Sequence, residues 1–333
     1  MVATPPDAPA PGGVDLAAVF QHAVARQRQG ALGEAIDCYQ RILSVNPGYA
    51  PAWINLGVAL RGVGRIAASV GCLRRGVALK PDDAAARSNL GNALRAAGRF
   101  DEAAESHEAA MAIDPDTGSY WYNLALVQRD RGQLDLALSS FDLAESKGYD
   151  TAELKWDRSL ALLLKGDIAG GFAEYDWRWK IPDARPRSLD GPVWDGGDLS
   201  GRTLLVYAEQ GFGDTIQFVR YLPLIRARAG APAHIIFECP APLVRLFAAS
   251  PAFDGITLVT RDEAPLPLYD AQVALLSLPR LMGTTSDTIP ADIPYLAATE
   301  TRSDVAPRVQ DSLRIGVAWA GKSTHRNDRN RSM

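Results

Sequence analysis

Ser88-Asn-Leu-Gly-Asn-Ala-Leu-Arg-Ala-Ala-Gly98-Arg-Phe-Asp-Glu-Ala103 is one instance of a pattern that recurs every 34 residues. The glycine Gly98 has counterparts at Gly30, Gly64, Gly132 and Gly166. With that glycine as position fifteen, position eight reads Ala23, Gly57, Gly91, Ala125, Ser159, and position twenty reads Ala35, Ser69, Ala103, Ala137, Gly171. Both columns are uniformly small. Two antiparallel helices come close only where facing side chains are small, while Tyr39, Leu73, Phe141 and Tyr175, four positions later, fill the space between units. Pro47, Pro81 and Pro115 close the second helix of their units, because proline cannot continue an α-helix.

This pattern resembles the tetratricopeptide repeat, in about five units over residues 15–180, with a degenerate first unit that has His22 and Arg26 where Leu is usual. Such arrays stack each helix pair on its neighbours and leave a long concave surface for another molecule. Two polar columns mark that surface. Asn55, Asn89 and Asn123 share position six, and Arg61, Arg95 and Arg129 share position twelve. A ladder of amides can grip an extended peptide, since each offers a donor and an acceptor. The competing reading is that these residues are exposed helix positions facing water.

Composition narrows the class. At 333 residues, 47% hydrophobic and 22% charged, the chain has material for about two domains. A net charge of -4 argues against nucleic acid as the main partner. Cys38, Cys72 and Cys239 cannot all pair internally and show no CxxC spacing, so a reducing, cytoplasmic compartment is expected. Residues 1–14 read as a Pro/Ala-rich tail. The longest apolar runs, such as residues 160–164, fall far short of the ~20 residues that cross a bilayer. The scattered histidines and the lack of a paired-carboxylate motif at a strand end predict no metal, and no cofactor is expected.

Residues 181–201 run through Pro, Gly and Asp without periodicity and read as a linker, with Trp177, Trp179 and Trp194 expected to plug the end of the array. From residue 202 the pattern alternates. Strands are predicted at 203–207, 234–238, 256–259 and 271–276, and helices at 215–228 and 242–249, which gives a parallel sheet with helices on its faces. The loop Glu209-Gln-Gly-Phe-Gly-Asp214 then lies beyond the C-terminal end of the first strand, where ligands of such sheets gather. Gly211 and Gly213 can take positive φ and let N–H groups converge on a carboxylate or phosphate, and Asp214 is expected to cap the following helix. The run Gly316-Val-Ala-Trp-Ala-Gly-Lys-Ser323 satisfies the spacing of a phosphate-binding loop, but its first half reads as strand, against that assignment.

The segments 209–223, Phe237-Glu-Cys-Pro240, Leu275-Leu-Ser-Leu-Pro-Arg-Leu281 and Val317-Ala-Trp-Ala-Gly321 resemble bacterial tetratricopeptide proteins fused to a heptosyltransferase-like glycosyltransferase domain of the GT-B type. The resemblance implies a tetratricopeptide α-solenoid followed by a Rossmann-like parallel-sheet domain at 202–312, and residues 313–333 opening a second, incomplete one. It implies a metal-independent transferase that moves a sugar from a nucleotide-sugar donor to a protein or glycan acceptor recruited by the repeats. Asp214 would be the acceptor-activating base, with Gly211, Gly213, Lys322, Arg326, Arg329 and Arg331 at the donor phosphates. Met333 falls where the second Rossmann-like unit would begin, so the chain reads as truncated and inactive alone. The alternative is a tetratricopeptide protein-binding scaffold whose α/β piece is vestigial.

Overall fold

The computed structural model describes residues 15–182, 184–228, 230–261 and 265–297. Five helix pairs come first: α1 (Leu16–Arg28) with α2 (Leu32–Val45), α3 (Ala50–Gly62) with α4 (Ile66–Leu79), α5 (Ala84–Ala96) with α6 (Phe100–Ile113), α7 (Gly118–Asp130) with α8 (Leu134–Ser146), and α9 (Ala152–Lys165) with α10 (Ile168–Tyr175). Each turn is made by its position-fifteen glycine in the left-handed region, from φ +73° at Gly132 to +92° at Gly166. The residue after it donates its N–H back to the helix it has just left: Arg65 to Leu60 at 2.8 Å, Arg99 to Leu94 at 2.9 Å, Asp167 to Leu162 at 3.0 Å. That is the Schellman closure, and the αL residue it needs is the reason for glycine here. The second helices α2, α4 and α6 stop two residues before Pro47, Pro81 and Pro115, since the residue before a proline is pushed out of the α region.

The small columns do what their spacing implies. Ala23, Ala125, Ser159, Ala35, Ser69, Ala103 and Ala137 are fully buried. A Cβ placed on Gly57 would lie 2.5 Å from Leu73 Cγ, and one on Gly91 would lie 2.6 Å from the His107 ring. His107 completes the large column with Tyr39, Leu73, Phe141 and Tyr175. The first helices α1, α3, α5, α7 and α9 also touch one another along the array and so form its inner layer.

The second part is a four-stranded parallel sheet in the order β3-β2-β1-β4, from β1 (Thr203–Tyr207), β2 (His234–Cys239), β3 (Ile256–Thr260) and β4 (Ala271–Ala274). One face buries Leu204, Val206, Ile235 and Phe237, and the other Leu205, Ile236 and Val259, the alternation a strand imposes. Three expectations are corrected. The single helix at 215–228 is instead α11 (Phe212–Phe218), a 3-10 turn at Val219–Tyr221 and α12 (Leu222–Ala227), because Pro223 supplies no N–H to continue one ladder. The linker is stitched to the sheet: Trp194 N donates to Gln272 O at 2.8 Å and Gln272 N to Pro192 O at 2.9 Å, beside β4. The end of the array is not sealed by three tryptophans alone. Phe172 and Tyr175 of α10 share one core cluster with Trp194 and the sheet, while Trp177 and Trp179 stay half-exposed against Lys155, Lys180 and Arg178.

His107 is buried, its Nδ1 3.4 Å from Ser88 Oγ, and burial followed by the charge of Arg95 pushes its pKa down to about 3. The native state therefore refuses a proton that the unfolded chain accepts at an ordinary histidine pKa of about 6.5. The sign follows: this contribution is fully present above pH 6.5 and is lost as pH falls toward 3, costing about 2 kcal/mol between pH 7 and pH 5. Denaturant titrations at those two pH values are expected to show a drop of that size which His107→Leu removes.

Candidate functional site

The inner helices carry both polar columns, and the structure separates residues that sequence alone treats as equivalent. Asn55 is 2% exposed, under the surface beside Tyr39 and not facing water. Asn89 is partly exposed, and its side-chain amide makes no hydrogen bond among the described residues. Asn123 Nδ2 donates to Ser88 Oγ at 3.2 Å, tying α7 to α5. The fifth member of this column is Asp157, where the repeat changes from amide to carboxylate.

That carboxylate is already used. Arg129 Nη1 donates to Asp157 Oδ1 at 2.6 Å and Tyr122 Oη to Asp157 Oδ2 at 2.7 Å. Arg95 Nε donates to Asp130 Oδ2 at 2.6 Å. These bonds join α7 to α9 and α5 to α7. They are charge-assisted and partly shielded, with Arg129 14% and Asp157 19% exposed, so they brace neighbouring repeats more firmly than a solvated pair does. Arg61 is half-buried, and among the described residues its guanidinium makes no hydrogen bond and no ion pair. The groove face thus divides into a braced end around Arg95 and Arg129 and an open stretch around Arg61 and Asn89.

At the loop after β1, the geometry differs from expectation. Gly211 has φ -71° and Gly213 lies inside α11, so neither takes the left-handed region. The helix begins at Phe212, three residues earlier than read, because Gly211 itself acts as the N-cap. Asp214 is therefore the third residue of α11, and its Oδ2 accepts from Gly211 N at 3.1 Å. It caps from inside the first turn. Lys322, Arg326, Arg329 and Arg331 lie outside the described residues, as does the run of residues 316–323 whose first half reads as strand. Among the described residues there is no group of three His, Cys, Asp or Glu side chains able to hold a metal.

The loop's first residue has a role that sequence reasoning missed. Glu209 accepts from Arg178 Nη2 at 2.6 Å and Nε at 2.9 Å, both side chains being 5% exposed, and from Leu276 N at 3.2 Å. Arg178 also binds Asp176 at 2.5 Å and Ser277 Oγ at 3.0 Å, and its guanidinium lies over the rings of Tyr175 and Trp179, 4.8 and 4.6 Å from their centroids. Burial opposes the charge on Arg178, but the bonds to Glu209 and Asp176 outweigh it and raise its pKa. The pair locks the end of the array to the C-terminal end of β1. A 31-residue separation leaves no periodic signal by which to find it.

With this geometry in view, residues 59–118 and 89–148 match the model of the tetratricopeptide repeat family. Residues 59–148 carry tetratricopeptide repeats. The chain is 31% identical over 98 residues to Protein FlbA of Caulobacter vibrioides, a match covering 29% of this chain and 16% of that protein, so only a small part of FlbA is spanned. Among solved structures it is similar to a thermophilic tetratricopeptide protein of Thermus thermophilus (TM-score 0.45, 19% identity, 50% of this chain and 91% of that one). It is also similar to MamA from Desulfovibrio magneticus (TM-score 0.44, 18% identity, 49% of this chain and 93% of that one). No helix among the described residues is long and apolar enough to cross a membrane.

Removing one partner of a buried pair strands the other. Glu209→Ala is expected to lower unfolding free energy by about 3–5 kcal/mol, read from denaturant titration. The double variant Glu209→Ala with Arg178→Met should recover much of that loss.

Proposed function

We propose that this chain is an interaction scaffold whose tetratricopeptide array holds an extended polypeptide along its inner face. The observation that carries the reading is the open stretch of that face: Asn89 and Arg61 stand on adjacent inner helices, partly exposed and uncommitted, while the equivalent residues further along are tied up in bracing the array. An extended chain presents unpaired backbone groups, and an amide such as that of Asn89 matches both donor and acceptor. The lock between Arg178 and Glu209 then fixes the α/β unit to one end of the array, so whatever the groove holds is held at a set position relative to that sheet.

Placing a photo-crosslinking amino acid at position 89, on α5, and at position 108, on the exposed side of α6, tests this. Polypeptide crosslinks are expected from position 89 and not from 108. Equal labelling at the two positions would overturn the groove reading.

A second reading, the glycosyltransferase one, is supported by Asp214. Only its Oδ2 is engaged among the described residues, which leaves Oδ1 free beyond the C-terminal ends of the strands, the usual place for a ligand in such a sheet. In this reading Asp214 takes the proton of an acceptor hydroxyl, Gly211 and Gly213 lie near a nucleotide-sugar donor, and the groove recruits the acceptor. Asp214→Asn keeps an oxygen for the Gly211 N–H and removes the base, so in this chain complemented by a second Rossmann-like unit, transfer from a panel of nucleotide sugars should fall ~100-fold or more at unchanged stability. An unchanged rate in the variant leaves the scaffold alone standing.

A further inference from the structure

Position twelve carries an arginine in three successive units, and the three have different surroundings. Arg129 reaches Asp157, 28 residues ahead, at position six of the next unit. Arg95 reaches Asp130, 35 residues ahead, at position thirteen of the next unit. The same two steps from Arg61 land on Asn89 and Ala96, neither of which has a carboxylate. The repeats thus serve as their own comparison: two arginines show what this position binds, and the third has the same frame without the acid.

The cost of that vacancy is visible. Burial, and then the neighbouring guanidinium of Arg95, push the pKa of Arg61 down from the ordinary arginine value. A half-buried cation with a like charge beside it and no counter-ion among the described residues gains most from an anion brought from outside. Asn89 stands where Asp157 stands relative to Arg129, and its amide N–H2 can donate to that anion beside the guanidinium.

We propose that Arg61 and Asn89 receive the side-chain carboxylate of an Asp or Glu within an extended segment of a partner polypeptide. This rests on the scaffold reading above and names the chemistry of its partner. A carboxylate is the group that Arg95 and Arg129 bind: Asp130 for Arg95, and Asp157 with a longer contact of 3.5 Å to Asp130 for Arg129. The inner layer continues on both sides, through α1 before and α7 and α9 after, so the bound segment passes through the site and need not end there.

The test selects from a displayed library of random decapeptides, fused at their carboxy terminus so that no free terminal carboxylate is offered, on the full chain and on two variants. The parent is expected to enrich peptides with Asp or Glu at one fixed position. Changing that residue to Gln or Asn in an enriched peptide should weaken binding by about tenfold, the scale of one charge-assisted hydrogen-bonding contact. Arg61→Gln should abolish the acidic preference. Asn89→Asp should abolish it as well, by supplying Arg61 with the internal partner that Arg129 has, while the melting temperature stays at or above that of the parent. Enriched peptides with no fixed acidic position, or an acidic preference that survives in either variant, would overturn the assignment and leave the scaffold reading in place. Failure to enrich any peptide would overturn both.

Discussion

Everything in the array depends on one steric condition, that the two helices of a repeat meet where a side chain is missing. At Gly57 the facing Leu73 already occupies the space a Cβ would take, and at Gly91 the His107 ring does. Close approach at these points buries the large residue of the second helix, and that burial sets the angle at which the next repeat is received. Overpacking a site of this kind typically costs about 1–3 kcal/mol. In a solenoid such a cost reaches the nearest neighbours directly, because each repeat has no other support.

Much of this was legible from the chain alone. The left-handed glycines, the two small columns and the prolines after the second helices are local requirements, and local requirements repeat in sequence. The strands were readable for the same reason, as short apolar runs with turn residues between them. What escaped was long-range pairing. Nothing in the order of residues says that Arg178 will meet Glu209, or that Arg129 and Arg95 will be neutralised while Arg61 is not. Those outcomes depend on which carboxylates the superhelix carries past each arginine. The third member of the large column was missed because it is a histidine, His107, and a polar residue in an apolar register is easily taken for a break in the pattern. The start of α11 was misplaced by three residues because Asp214 fits two capping positions, before the helix and inside its first turn, and only the backbone of Gly211 decides between them.

Contacts confined to neighbouring repeats would leave the array an independent unit. The last repeat departs from this. Phe172 and Tyr175 belong to the same core as Trp194 and the sheet, with Trp156, Leu160 and Leu163 of α9 packed against it. The α/β unit therefore does for the final helix pair what a polar capping repeat does elsewhere, covering a face that would otherwise be apolar and wet. The buried Arg178 gives this union its orientation, since its guanidinium must satisfy Glu209, Asp176 and Ser277 together.

The segment that bonds to Gln272 alongside β4 has a bearing on self-association. A bare outer strand is a template for another chain to add to, and proteins commonly cover or shorten such edges. Here residues 192–194 occupy that side of β4 with backbone hydrogen bonds of their own, and Gln272 Nε2 holds Leu189 O besides. The connection between the array and the sheet thus also acts as a guard rail. Excising the α/β unit at β1 would uncover a strand on which identical molecules can pair.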